Sequence, residues 1–381
     1  MTDDYFSSRV VDCKVMVSRS HLTEMIQLVR LLDRLSRNPA YQACLAADLP
    51  EVARFDPHHD GVMMGYDFHL TPDGPRLIEV NTNAGGALLA WRCHDPTFMT
   101  DGGSRFDRRN RWQQRVVNTF ACEMGAFLGQ SPTWPQRLVI LDDQPEQQFL
   151  FPEMVALVDI FRQLGVTAIV ADPSQLVMDG RGVYHEGDRI DLIYNRHCDF
   201  YLAEPALQGL QSAYRARQIC LTPNPHVYGL LADKRRMVLW SSPAQMSQLG
   251  LSATDLDRLA RMIPTTRYLC DKDPQQLWAD RRHWVLKPAT GAGSRGVLLG
   301  QSLSRKRLVT LDPDTTLVQQ MVLPSRTPCS PDDPDGMKSD LRLFAYRHQI
   351  LGIAARLYRG QVTNLRQDGG FAPVQVTHQD V

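Results

Sequence analysis

The sequence has no excess of either charge: 42 lysines and arginines stand against 42 aspartates and glutamates. That balance excludes the broad basic field by which a protein grips nucleic acid or an anionic membrane. The local stretch Arg105, Arg108, Arg109, Arg111 and Arg115 reads as a solvated helix face with snorkelling stems. Nor is there an apolar run of the roughly 18 residues that a membrane span needs. The opening MTDDYFSSRV carries two acids and no apolar core, unlike a secretory signal. Among eight cysteines there is no CxxC pair, and a chain this long needs no staples. Reduced, mostly buried thiols in a cytoplasmic protein are therefore expected. Internal repeats and low-complexity segments are absent too; Pro331 to Gly336 is a polar loop. No HRD or DFG triplet occurs, which disfavours a protein kinase.

What is there is an ordinary globular composition, 43% hydrophobic and 22% charged over 381 residues, enough for two or three compact units. His21 to Ser36 carries a helical apolar stripe with Ser20 as the expected N-cap. Val62 to Leu70 and Arg76 to Asn81 read as strands of a hairpin, joined by the turn-rich Thr71 to Pro75. A helical pattern returns from Phe106 to Leu128. Past a boundary at Ser131 to Gln136, strand (137–142), helix (152–164) and strand (166–170) form a βαβ unit, the start of a parallel sheet. Asp191 to Asn195 adds a strand, and a second boundary falls near Pro223 to Pro225. Strands are then expected at 284–287, 297–299 and 316–322. A last hairpin is expected from 341–346 and 350–358.

Three constellations carry chemistry. In the first hairpin Glu79 and Asn81 lie two apart on a strand and share a face, with Ile78 and Val80 on the other. A turn centred on Asp73 sets Asp67 across from Glu79. Facing carboxylates repel unless a cation sits between them, and two carboxylates with an amide suit Mg²⁺. A solvated polar strand face is the plain alternative, though Thr82 to Gly86 adds a flexible segment suited to close ligand approach. Second, Gly291, Gly293, Ser294 and Gly296 form a GxGxxG loop leading into a strand rather than a helix. It fits a flap over phosphates better than a dinucleotide turn. Lys287 precedes it as a phosphate-pairing lysine would, and Lys234 could reach a phosphate as well; a plain glycine hairpin and a surface lysine are the alternatives. Third, a turn centred on His348 puts Asp340 across from Arg356 in the last hairpin. Arg342 shares Asp340's face, and Asn364 and Gly369-Gly370 follow. An arginine on a rigid strand can neutralise a transferring phosphoryl group.

Other candidates are weaker. His58-His59-Asp60 lacks ligand spacing, and Cys93-His94 are neighbours whose side chains point apart on a strand. Arg196 and His197 follow a strand end, where α/β sheets place ligands.

Taken together these segments resemble the ATP-grasp superfamily in circularly permuted order. Trp284 to Gly296 (WVLKPATGAGSRG), Asp340-Leu-Arg342 and Arg356 to Gly370 look like its early parts. Asp67 with Ile78-Glu-Val-Asn81 looks like its final part, placed at the beginning. The permuted branch includes glutathionylspermidine-synthase-like proteins. The resemblance implies an α/β protein with a pre-ATP-grasp parallel domain at 131–225 and a lobe with the glycine flap at 226–325. The other lobe would be split between 1–130, with the metal corner, and 326–381. It implies ATP on Lys234, Lys287, Gly291, Gly293, Ser294 and Gly296, with Gln319, Gln320, Met321 and Val322 as the adenine-side hinge. Asp67, Glu79 and Asn81 would hold Mg²⁺, and Arg356, Arg342 and Asn364 would act on the transferred group. The expected activity is an ATP-dependent carboxylate–amine ligase acting through an acyl phosphate on small molecules, with no nucleic-acid or membrane partner. A non-catalytic ATP-binding module and a phosphotransferase on the same scaffold are the alternatives. The acid and amine pockets are sought near Arg92, Arg196, His197 and Arg366. Gln319-Gln320 stands where the family often has a carboxylate, and no amidase domain is added.

Overall fold

A computed structural model of the chain describes residues 2–95, 111–290, 296–330, 333, 335–361 and 369–378. Its central element is a largely antiparallel sheet of six strands. In spatial order these are Gly369–Ala372, Gln349–Tyr358, Met337–Tyr346, Met64–Thr71 and Gly74–Asn81, with Ser325–Thr327 pairing beside Met337–Tyr346. Strands from near the two ends of the sequence therefore form one sheet, with Arg342 registered against Asp67.

Both long hairpins turn through two residues and carry a bulge. In the first, Thr71 pairs with Gly74 around Pro72-Asp73, and a register shift leaves Ile78 unpaired, so that Phe68 faces Leu77 while Asp67 faces Glu79. In the second, Tyr346 pairs with Gln349, a shift follows at Phe344/Ala345, and Asp340 comes to face Arg356. The extra residue of each bulge is what brings the charged partners into register. It also corrects one expectation. Leu77 and Val80 turn to the core, while Ile78 lines a cleft, because the bulge breaks strict alternation at that point.

One face of this sheet is apolar for a simple reason. Tyr66, Phe68, Leu341, Leu343 and Leu357 alternate with polar residues, and they pack with Leu28, Leu32 and Leu35 of the Arg19–Ser36 helix. Its cap lies two residues before the expected one: the Ser18 side chain accepts from His21 N, and Ser20 Oγ lies 2.8 Å from Ser18 Oγ inside the first turn. The opposite face is divided. Phe344, Ala354 and Phe371 pack against apolar side chains of the Ala87–His94 and Arg111–Leu128 helices, and the remainder of the face is charged.

A second sheet is parallel throughout, in the order Cys220–Thr222, Leu192–Asn195, Arg137–Leu141, Thr167–Ala171. Its strands are near-continuous apolar runs, as a sheet covered on both faces demands. The Phe151–Gln163 helix connects two of them and ends at Gly165, whose φ of 84° suits a residue without a Cβ. A third, antiparallel sheet runs Thr266–Tyr268, Thr316–Gln320, Trp284–Pro288, Leu298–Leu299. The strands of this sheet are shorter than the sequence pattern suggests at 297 and at 321–322. Among the described residues, no helix is long and apolar enough to cross a membrane.

The cysteines depart from expectation. Cys13 and Cys329 form a disulfide with Cα atoms 5.2 Å apart at a sequence separation of 316. Cys44, Cys198 and Cys270 are exposed rather than buried. A pairing made by tertiary proximity leaves no spacing pattern for a sequence reading to find.

Candidate functional site

Between the third sheet and the charged part of the six-stranded sheet lies a cleft of about 610 Å³. Its floor is a registered row: Glu79 beside Asp67 and Asp67 beside Arg342. Two residues along the strands, His69, Asp340 and Arg356 continue the same face. The facing wall is supplied by Lys287, Gln319, Gln320, Met321 and Val322.

Asp67 is the most heavily bonded group in the cleft. Arg342 donates to it twice, Nε to Oδ1 and Nη2 to Oδ2, each at 2.7 Å. Arg356 Nη2 lies 2.8 Å from Oδ2, and Asn81 Nδ2 donates to the same oxygen at 3.1 Å. Burial alone would raise the Asp67 carboxyl, but Arg342 and Arg356 more than offset this and hold it well below the usual range. Arg356 is also bonded to its cross-strand partner, with Nε on Asp340 Oδ1 at 2.6 Å and Nη2 on Asp340 Oδ2 at 3.0 Å. Arg342 has a third contact, Nη1 to Gly85 O at 3.1 Å. Gly65 leaves room for that guanidinium, since a Cβ there would sit 3.1 Å from Arg342 Nε and 2.7 Å from the Ala84 Cβ.

The residues present fit a magnesium ion. Asn81 bridges the two carboxylates, its Nδ2 lying 3.1 Å from Asp67 and 3.2 Å from Glu79 Oε1. A half-turn of that amide offers an oxygen to the same corner, giving the hard oxygen set that Mg²⁺ takes. With only two carboxylates there, no group of three His, Cys, Asp or Glu side chains suited to a metal occurs among the described residues.

Lys287 is buried on the opposite wall, where its Nζ donates to Gln319 Oε1 at 2.6 Å. Burial lowers its pKa to about 8, and Glu79 nearby limits the fall. Lys234 lies with Lys287, Glu79 and Gln319 around a small pocket at the inner end of the cleft. Gln319 therefore points inward onto Lys287, while Met321 N donates to His283 O at 2.7 Å. His69 bonds Val322 O through Nδ1 at 2.8 Å and ties the hinge to the charged sheet. Its pKa is lowered by burial. His69 was legible in principle, two residues after Asp67 on the same strand face.

The structure thus brings together Asp67, Glu79, Asn81, Lys234, Lys287, Gln319 to Val322, Arg342 and Arg356. Gly291, Gly293, Ser294, Asn364 and Arg366 lie outside the described residues. Gly296 is described, with φ of 75°, and is not among the residues lining the cleft. Arg92 does not line it either and bonds Ser7.

Arg196 and His197 belong to a separate polar group at the carboxyl end of the parallel sheet. The Arg196 guanidinium is buried, donates to Asn83 O at 2.9 Å and to Tyr194 OH at 3.3 Å, and leaves Nε without a partner. Gly85 lies against it: a Cβ there would be 2.6 Å from Arg196 Nη2. Asp142, on the next strand end, has its pKa raised to about 6 by burial, with Arg196 opposing. The segment that follows Asn81, residues 82–86, therefore runs from the charged corner to this second group.

No protein-family model and no curated protein matches the sequence. Solved structures do. A glutathione synthetase-like effector from Globodera pallida superposes with a TM-score of 0.59 at 10% identity, over 99% of this chain and 95% of that one. A γ-glutamylcysteine synthetase candidate from Methylobacillus flagellatus gives 0.51 at 14% identity, over 88% and 82%. At such identities the likeness is one of architecture, and it extends over nearly the whole molecule: this chain shares the overall fold of these two proteins.

Proposed function

We propose that the protein is an ATP- and magnesium-dependent ligase that joins a small-molecule carboxylate to an amine. The observation that carries this reading is the cleft in which Lys287 faces Asp67, Glu79, Asn81 and Arg356, with Lys234 beside Lys287 in the adjoining small pocket. Such an arrangement performs phosphoryl transfer by position and charge neutralisation, without a protein nucleophile. Lys234 and Lys287 would pair with phosphates, the 319–322 segment would border the adenine, and the 291–296 loop would cover the phosphates. Glu79, Asn81 and Asp67 would hold magnesium, which supplies charge neutralisation to the phosphate oxygens. Arg356 would steady the phosphoryl group as it passes to the substrate carboxylate, giving an acyl phosphate that the amine attacks.

Arg196, with its unpartnered Nε, is suited to hold an anionic substrate, and Asp142 beside it is suited to an amine. Residues 131–225 would then be the substrate-side α/β domain, 226–325 the lobe over the nucleotide, and 1–130 with 326–381 the lobe beneath it, a permuted order. The test is ADP release by purified protein given Mg-ATP with panels of acids and amines. Tight ATP binding with no ADP under any pairing would reject the ligase reading. A nucleotide-binding module without turnover is the second reading, favoured by the two arginines already neutralising Asp67. It requires Glu79→Gln to alter binding alone.

A further inference from the structure

The carboxylate that the fold offers to a cation is already heavily bonded. Asp67 receives four donors, one on Oδ1 from Arg342 and three on Oδ2 from Arg342, Arg356 and Asn81, so Oδ2 is crowded and Oδ1 alone keeps a lone pair. The charges lining the cleft are also in excess on the positive side, with Asp67, Glu79 and Asp340 set against Arg282, Lys287, Lys338, Arg342 and Arg356. A bare divalent cation entering this corner meets two guanidinium groups within bonding reach of its own ligand.

The two arginines are not held alike. Arg342 is the registered neighbour of Asp67, grips both of its oxygens, and has a third bond to Gly85 O. Arg356 touches Asp67 through Nη2 only, and that same nitrogen is shared with Asp340. Its Nε stays on Asp340 Oδ1 whatever Nη2 does. Losing Asp67 thus costs Arg356 one contact of three and leaves it anchored at the cleft, free to turn its Nη groups toward an anion.

Resting on the nucleotide-binding reading above, we propose that Arg356 is a cation placeholder. It compensates the charge of Asp67 until a triphosphate draws its guanidinium away, so the protein takes up its divalent metal with the nucleotide and not before it. Asp340 is the positioning residue of this exchange, because it retains Arg356 when Asp67 passes to the metal. The arrangement bars free metal from the corner and couples metal entry to the arrival of the phosphates that Arg356 then binds.

The test uses Mn²⁺ as the probe, read from the paramagnetic resonance of the free ion, with a non-hydrolysable ATP analogue. Wild-type protein is expected to bind Mn²⁺ alone at least tenfold more weakly than Arg356→Gln does, the reverse of what removing a metal-site arginine would do if it only supported the fold. Adding Glu79→Gln to that variant should abolish the gain. A readout on wild type alone guards against misfolding of the variant: Mn²⁺ without analogue should leave Tm unchanged, and Mn²⁺ with analogue should raise it. Equal Mn²⁺ affinity in wild type and Arg356→Gln, or a Tm rise with Mn²⁺ alone matching that with the analogue, would overturn the placeholder. Failure of the wild type to bind the analogue under any condition would instead remove the nucleotide reading on which it stands.

Discussion

At the scale of the residue, Lys287 and Asp67 set opposite pH behaviour. Burial lowers Lys287 to about 8, whereas the unfolded chain keeps that proton to about pH 10. Between the two the unfolded state binds more protons, so the Lys287 contribution makes stability rise with pH over that window. Asp67 is depressed below its unfolded value, so its stabilisation is present above about pH 4 and is lost as pH falls further. Denaturant titrations across both limbs check this, with Lys287→Met flattening the alkaline limb and Asp67→Asn the acid one. Phosphate beside Lys287 restores its proton, so ATP binding at pH 8 should take up on the order of half a proton. Calorimetry in buffers of different ionisation enthalpy measures that uptake, and Lys287→Met should abolish it. Arg342→Met leaves Asp67 with Arg356 alone; removing one partner of a buried pair costs about 3–5 kcal/mol, to be read from the urea midpoint.

At the scale of the element, the bulges govern the site. Ile78 is the unpaired residue that brings Glu79 opposite Asp67. Deleting Ile78 is expected to remove the bulge and restore regular pairing through the hairpin, with Glu79 still opposite Asp67 and Asn81 on the same face. Leu77 and Val80 can stay in the core, so the fold should survive with a loss of about 1–3 kcal/mol from strain and repacking. Nucleotide-dependent Mn²⁺ binding should therefore persist in the deletion variant, as resonance of the free ion would show. Much of this was readable from sequence. Dense turn residues at Thr71 to Pro75 marked the hairpin; turn centres read at Asp73 and His348 lie half a residue past the observed two-residue turns, and the bulges make up the difference, so the expected Asp67–Glu79 and Asp340–Arg356 pairings are met by another route. The bulges were not readable, because nothing in Leu77-Ile-Glu distinguishes a bulged strand from a regular one. The outward turn of Ile78 was missed for that reason. Asp142 was missed because its role depends on a neighbouring strand end, which sequence distance does not reveal.

At the scale of the whole molecule, the first and last strands lie side by side. Val15–Ser18 pairs in parallel with Val374–Thr377, and the Cys13–Cys329 link adds a covalent tie close by. A protein with its ends joined by a Gly/Ser linker and reopened at Ser131 should therefore fold to the same cleft. Its affinity for the ATP analogue should remain within about threefold of wild type, since no contact in the cleft crosses the new opening. An insoluble or non-binding product would argue against the permuted domain order. That order was suggested by where the charged corner falls in the sequence; the cysteine link was hidden because it is made by tertiary contact alone.

The register of Arg342 on Asp67 also bears on how the protein is made. The Met64–Asn81 hairpin leaves the ribosome with 275 residues separating Asp67 from its partner in the neighbouring strand. At about 5–20 residues per second that is a delay on the order of tens of seconds. Throughout it, Tyr66 and Phe68 lie on a strand whose sheet is not yet built, and Asp67 has neither arginine. The nascent hairpin is thus an exposed edge awaiting its match, and the six-stranded sheet can close only once the Met337–Tyr346 strand has been made.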